Sequence, residues 1–338
     1  MSVLLEEYRN TRDGLRFGFA VGKVRVLETR LLDRATLERL VDAPGFSEQK
    51  RILSETVYGR YLESAQTPAE VESALEDALE SAFRFLDEAG LPATVVRFFR
   101  ARFDFANLKA ALKARALGTV VEGLLVSHGM VEPEAFEGPL EDLPEPLEAV
   151  VREAARLKDE ESEGGVDLMA IDALVDKALF AELMSLADES GSSFLVTVAR
   201  LMVDLANLKT LVRAHHADST VERVAGMLLE GGSFTVAKLT KPYRLPEPDA
   251  LAAFERLFGL KGEPLTAADD AGDLDVIVDN ALVAAVRRGR RPEPGAEDVI
   301  AYVLAREAEA QVLRVALLGK MAGLDSVVLH RRMRASFR

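Results

Sequence analysis

The sequence contains no cysteine and no tryptophan, and only four of its 338 residues are histidine. Without cysteine there is no disulfide, no thiolate metal site and no cysteine nucleophile. Four histidines leave little material for imidazole chemistry. No window holds 18 consecutive apolar residues, so no bilayer-spanning helix is expected. The opening run, MSVLLEEYRNTRDGLR, has an acidic pair where a signal peptide would carry its apolar core, and a cytoplasmic location is expected. Basic residues are outnumbered 42 to 56, a net charge of −14. Nucleic-acid binding, which replaces phosphate counterions with protein cations, is thereby disfavoured. What remains is 49% hydrophobic and 29% charged, the composition of a core-forming chain. At roughly 150 residues per domain the length suggests two or three domains.

Alternating strand patterns are absent, and the apolar spacing is helical nearly throughout. Phe98, Ala101, Phe105, Leu108 and Leu112 recur at three- and four-residue steps, which puts them on one helix face. Residues 68–89 combine strong helix formers and early acids with Gly90 and Pro92 behind them. Breaks are expected at Gly90–Pro92, 138–146, 159–165, Gly231–Gly232, 243–249 and 289–295. The fold class read from this is all-α.

The chain also repeats itself. Residues 104–109 read Asp-Phe-Ala-Asn-Leu-Lys and residues 204–209 read Asp-Leu-Ala-Asn-Leu-Lys. Residues 309–314, Glu-Ala-Gln-Val-Leu-Arg, form a looser third copy that keeps the acid, the leucine and the base. The apolar stripe maps onto Val198, Leu201, Leu205, Leu208 and Val212, then onto Val303, Arg306, Ala310, Leu313 and Leu317, where Arg306 interrupts it. Gly90, Gly191 and Gly295 each stand between two long helices. The openings LLDRATLERL (31–40), LLVSHGMVEPEAF (124–136) and LLEGGSFTVAKL (228–239) correspond as well. Three homologous helical modules follow, with boundaries at 1–118, 119–218 and 219–338. They could close around a pseudo-threefold axis or stack as an open solenoid.

Asn107 and Asn207 stand mid-helix, where an amide competes with the backbone for hydrogen bonds. Each lies three residues after an aspartate, Asp104 or Asp204, on the same face. The structural reading is that these pairs tie the helix to a packed segment and satisfy buried backbone groups. The functional reading is a polar cavity lining. Recurrence favours structure, because a specific site need not recur in every copy.

No catalytic, cofactor-binding or metal-ligating residue stands out in the sequence. Gly18-Phe-Ala-Val-Gly22-Lys23 looks like a phosphate loop, but it has three residues between the glycines and no Ser or Thr after the lysine. Gly319-Lys320-Met321 fails likewise. His215 and His216 are adjacent and make a poor metal pair. His128 precedes Gly129 in an opening turn, and His330 lies in a basic tail. No Ser, His and acid grouping suggests acyl transfer, and 159–163 (DEESE) reads as a solvated loop. More suggestive are the ends. Lys23, Arg25 and Arg30 lie on an N-terminal helix, and the closing run HRRMRASFR is rich in arginine. Such a run is either a solvated helix end or a contact for acidic loops or an anionic surface.

Taken together, several segments resemble the C subunit of the rotary V/A-type ATPases, a family related to the vacuolar d subunit. The residues are Phe17–Glu28 (FGFAVGKVRVLE), Ile52–Gly59 (ILSETVYG), both Asp-x-Ala-Asn-Leu-Lys segments, and Ile300–Glu309 (IAYVLAREAE) continuing through Leu313-Arg314 to Gly319-Lys320. The resemblance implies a funnel of three similar helical domains. It also implies a non-catalytic socket between the central-stalk subunits and the proteolipid ring, peripheral on the cytoplasmic face of the membrane. No cofactor, nucleotide or nucleic acid is implied. One departure is that Val312 stands where the other copies have Asn107 and Asn207. A helical-repeat adaptor for other partners, or a helical enzyme pairing its acids around a divalent metal, are the alternatives. Under the family reading, the acidic excess and the arginine tail are expected on different faces, one toward the stalk and one toward the ring.

Overall fold

A computed structural model describes residues 17–160, 168–260, 264–268, 270–289 and 295–337. The opening run 1–16 and most of the breaks expected at 159–165 and 289–295 lie outside the described residues. Among the described residues the regular structure is entirely helical, without a strand. In chain order the helices are α1 (Gly18–Glu28), α2 (Arg34–Asp42), α3 (Phe46–Leu53), α4 (Gly59–Leu62), α5 (Pro68–Glu88) and α6 (Ala93–Leu117). Then come α7 (Leu147–Glu160), α8 (Leu168–Glu189), α9 (Ser193–His216), α10 (Val221–Met227) and α11 (Val236–Tyr243). The last four are α12 (Glu247–Phe258), α13 (Ala271–Gly289), α14 (Ala296–Met321) and α15 (Ser326–Arg332). Among the described residues, no helix is long and apolar enough to cross a membrane.

The long helices start and stop where local chemistry directs. The Thr67 hydroxyl accepts the Glu70 amide and the Glu70 carboxylate accepts the Thr67 amide, a reciprocal cap with Pro68 in the first turn of α5. Gly90 (φ +69°) and Gly191 (φ +68°) turn the chain left-handed at matching points, before α6 and α9. Gly295, the third expected break, differs: it is extended (φ −156°), and the Asp298 carboxylate accepts its amide. The break before α14 is thus a capped start rather than a left-handed turn.

The chain gathers into two compact units, residues 1–91 with 245–338, and residues 92–244. The first is discontinuous because α14 returns from the far end of the sequence to pack on α5. Val71, Leu75, Ala78 and Tyr58 join Val312, Leu313 and Leu317 in one buried cluster. Fully burying a side chain the size of Leu75 stabilises by about 1.5–3 kcal/mol, so the return of α14 supplies a large part of this core. Gln49, also buried in this unit, donates from Nε2 to the carbonyls of Leu40 and Ala316, both at 2.9 Å. In the second unit α8 packs against both α6 and α9. Phe105, Leu108 and Leu112 of α6 share a core with Phe136, Leu140 and Val175. Lys109 pairs with Asp176 at 2.5 Å and Lys113 with Asp172 at 3.0 Å along the α6–α8 contact.

The arginine tail corrects the expectation that it faces a partner apart from the acidic excess. Arg331 meets Asp273 at 2.6 Å, Arg332 meets Asp273 at 3.0 Å and also Asp270, and Arg334 meets Asp279 at 2.6 Å. The Ala335 amide donates to the Asn280 side chain at 2.6 Å, and the Ser336 hydroxyl donates to the Leu32 carbonyl at 2.9 Å. The tail is strapped to acids of its own unit, chiefly on α13.

Candidate functional site

The most informative polar features of this chain are three buried clasps, each made by a long helix on an opening segment. Asp104 of α6 accepts the amides of Met130 (3.0 Å) and Val131 (3.0 Å). One turn on, Asn107 accepts the Val126 amide at 2.9 Å and donates to the Val126 carbonyl at 2.8 Å. In α9, Asp204 accepts the Ser233 amide at 2.8 Å. Asn207 accepts the Leu229 amide at 2.8 Å and donates to its carbonyl at 2.9 Å. An amide side chain facing an open stretch of backbone can satisfy both its N–H and its C=O at once, which is why Asn is tolerated mid-helix here. The structural reading of the Asp–Asn pairs therefore holds.

The third clasp uses different residues. Glu309 of α14, the counterpart of Asp104 and Asp204, accepts the Leu32 amide at 2.5 Å. Leu32 belongs to the first opening segment, so the last long helix holds the first of the three openings. The Tyr58 hydroxyl donates to Glu309 at 2.6 Å and accepts from Arg306 at 2.8 Å, and Arg306 also meets Glu309 at 2.5 Å. Arg306, which interrupts the apolar stripe in sequence, is 4% exposed and ion-paired. Burial pushes the Glu309 carboxyl up, and the neighbouring Arg306 charge opposes that shift. Burial likewise raises Tyr58. Asp104 and Asp204 are also raised by burial, against the lowering effect of the backbone amides they accept.

Two glycines complete the first two clasps. A Cβ at Gly129 or Gly232 would collide with the carboxylate of Asp104 or Asp204. Neither glycine has a positive φ, so the demand is for space and not for a left-handed backbone. The aligned openings carry both glycines in sequence, but only the clasp geometry explains them. Tyr58 and the Glu309–Leu32 bond are not legible in the sequence: one lies outside the repeat, and the other links residues 277 apart.

The remaining sequence candidates fall as follows. Gly18 and Gly22 lie within α1 and Gly319 within α14, so neither segment forms a phosphate-cradling loop. His215 packs edge-on against Tyr243 with ring centroids 5.0 Å apart, at the end of α9. His128 is buried beside Phe103, and its carbonyl accepts from Arg100 at 3.0 Å. His330 meets Asp42 at 2.7 Å. Lys23 pairs with Glu88 at 3.3 Å and Arg25 with Asp298 at 3.3 Å. Residues 161–163 of the acidic run lie outside the described residues. Among the described residues, no group of three or more His, Asp or Glu is arranged to hold a metal ion. The clasp acids and amides are taken up by the backbone, so the clasps can hold segments rigidly but present no reactive group to solvent.

A family model described as ATP synthase (C/AC39) subunit matches residues 20–332. The C subunit of the V-type sodium ATPase of Enterococcus hirae is 22% identical over 92% of this chain and 96% of its own length. The C subunit of the V-type ATP synthase of Thermus thermophilus is 27% identical over 88% of this chain and 92% of that protein. The C subunit of the A-type ATP synthase of Methanococcoides burtonii is 23% identical, covering 94% of each.

Proposed function

The chain belongs to the ATP synthase (C/AC39) subunit family and is a subunit of a V/A-type rotary ATPase; on that premise we propose that it is the non-catalytic coupling part, a socket that joins the rotating central stalk to the proteolipid ring. The observation that carries this is the recurrence of the clasp. Three long helices each hold an opening segment through a buried acid at the same repeat position, and the third acts on the first segment. That pattern supports the three-module division at 1–118, 119–218 and 219–338. A part that passes torque needs stiffness, and buried hydrogen bonds on otherwise apolar helix faces provide it. The partners are the proteolipid ring on one side and the central-stalk subunits on the other, and the protein works peripherally at the cytoplasmic face of the membrane.

Native mass spectrometry of the purified protein with the detergent-solubilised ring and with the central-stalk subunits tests the proposal. A complex containing ring, this chain and stalk together is expected. Binding to neither partner contradicts the socket.

A further inference from the structure

Five cationic side chains of this acidic protein converge on one notch of about 260 Å³ in the first compact unit. Lys23 and Arg30 come from α1 and the turn after it, Arg60 from α4, Arg84 from α5 and the buried Arg306 from α14. Two of the five are neutralised locally, Lys23 by Glu88 and Arg306 by Glu309. The other three are not: among the described residues, no carboxylate lies within 4.0 Å of Arg30, Arg60 or Arg84. In addition, Nε of Arg306 is buried without a hydrogen-bond partner in the described residues. Leaving a buried guanidinium N–H unsatisfied is costly; this atom is closed off from solvent, so the charge that needs an anion in the notch is that of the three arginines.

We propose that this notch receives an acidic segment of a partner protein, whose carboxylates pair with Arg30, Arg60 and Arg84. Arginine's planar fork matches a carboxylate in bidentate fashion. A compact phosphate fits less well. Phosphate sites gather backbone N–H groups at helix N-termini, whereas Leu27 and Glu88 bring the C-terminal ends of α1 and α5, which offer no free N–H groups, to the notch. Between the cations lie the apolar walls of Leu27, Val57 and Phe85, against which the aliphatic part of a peptide packs. The notch stands on its own geometry and holds whether or not the socket proposal does.

The test uses the full chain and a fluorescently labelled hexaglutamate peptide, followed by anisotropy at low salt. The net charge of −14 repels such a peptide in general, so saturable binding reports a local site. The triple variant R30Q/R60Q/R84Q is expected to bind at least about tenfold more weakly. A control triple with the same charge change elsewhere, R34Q/R51Q/R152Q, is expected to stay within about threefold of the parent. On the unaltered protein, a photoreactive hexaglutamate is expected to label residues 23–30, 57–61 or 81–88. The proposal is overturned if the parent does not bind the peptide, if both triples weaken binding equally, or if labelling falls elsewhere. Saturable binding of inorganic pyrophosphate, lost in R30Q/R60Q/R84Q while hexaglutamate fails to bind, reassigns the notch to phosphate chemistry and overturns it too.

Discussion

Glu309 accepts the backbone amide of Leu32 at 2.5 Å across 277 residues of chain. The same carboxylate holds Arg306 and Tyr58, so one buried acid ties the last long helix to the first opening segment. Removing it leaves the buried Arg306 without its counter-charge and the Leu32 N–H without its acceptor. Glu309→Ala is expected to destabilise by about 3–5 kcal/mol, measured by urea unfolding. The double variant R306M/E309L, which removes both charges, is expected to recover most of that loss. A double variant as unstable as the single one would show that the charge pair is not what makes Glu309 matter.

Gly232 and Asp204 are coupled by space. A Cβ at Gly232 meets the Asp204 carboxylate, and overpacking of this kind costs about 1–3 kcal/mol. Gly232→Ala is therefore expected to destabilise in the parent and to cost at least about 1 kcal/mol less in an Asp204→Ala background. Additive effects in that double-mutant cycle would mean that the glycine is needed for another reason.

The clasp acids set a pH dependence. Asp104 and Asp204 have folded-state values raised above the ordinary 3.8 by burial. Between the unfolded and folded values the native state binds more protons than the unfolded chain, so stability falls as pH rises through that window. Relative to D104N/D204N, the parent is expected to lose stability as pH increases upward from about 3.8, with the difference then levelling off. Urea melts of both proteins across that range check this. A difference that grows in the parent's favour would reverse the assigned sign.

Local signals make part of this architecture legible in the sequence. The all-α class, the limits of α5 and α6 and the structural role of Asn107 and Asn207 can be read from periodicity, capping residues and a repeated polar pair. The third clasp cannot: at Val312 the repeat loses its Asn, and the compensating partners Tyr58 and Leu32 lie far off in sequence. Nor can the fate of the arginine tail, since its partners Asp270, Asp273 and Asp279 are 55–62 residues upstream and look like ordinary solvated acids.

The tail strap makes its own prediction. Its contacts with Asp270 and with α13 hold residues 326–337 in place. Arg332→Gln with Arg334→Gln is expected to speed amide hydrogen exchange at Leu329 and Ala335 at least about tenfold, with little effect on α5. Unchanged exchange would mean that the ion pairs are not what holds the tail.

Coupling of the stalk to the ring is tested most directly by ATP-driven ion transport in the reconstituted rotary ATPase, assembled with and without this chain. Without it, ATP hydrolysis by the catalytic sector is expected to continue while ion transport is lost, and adding the purified chain is expected to restore transport. Transport that proceeds equally well in its absence would contradict the coupling role.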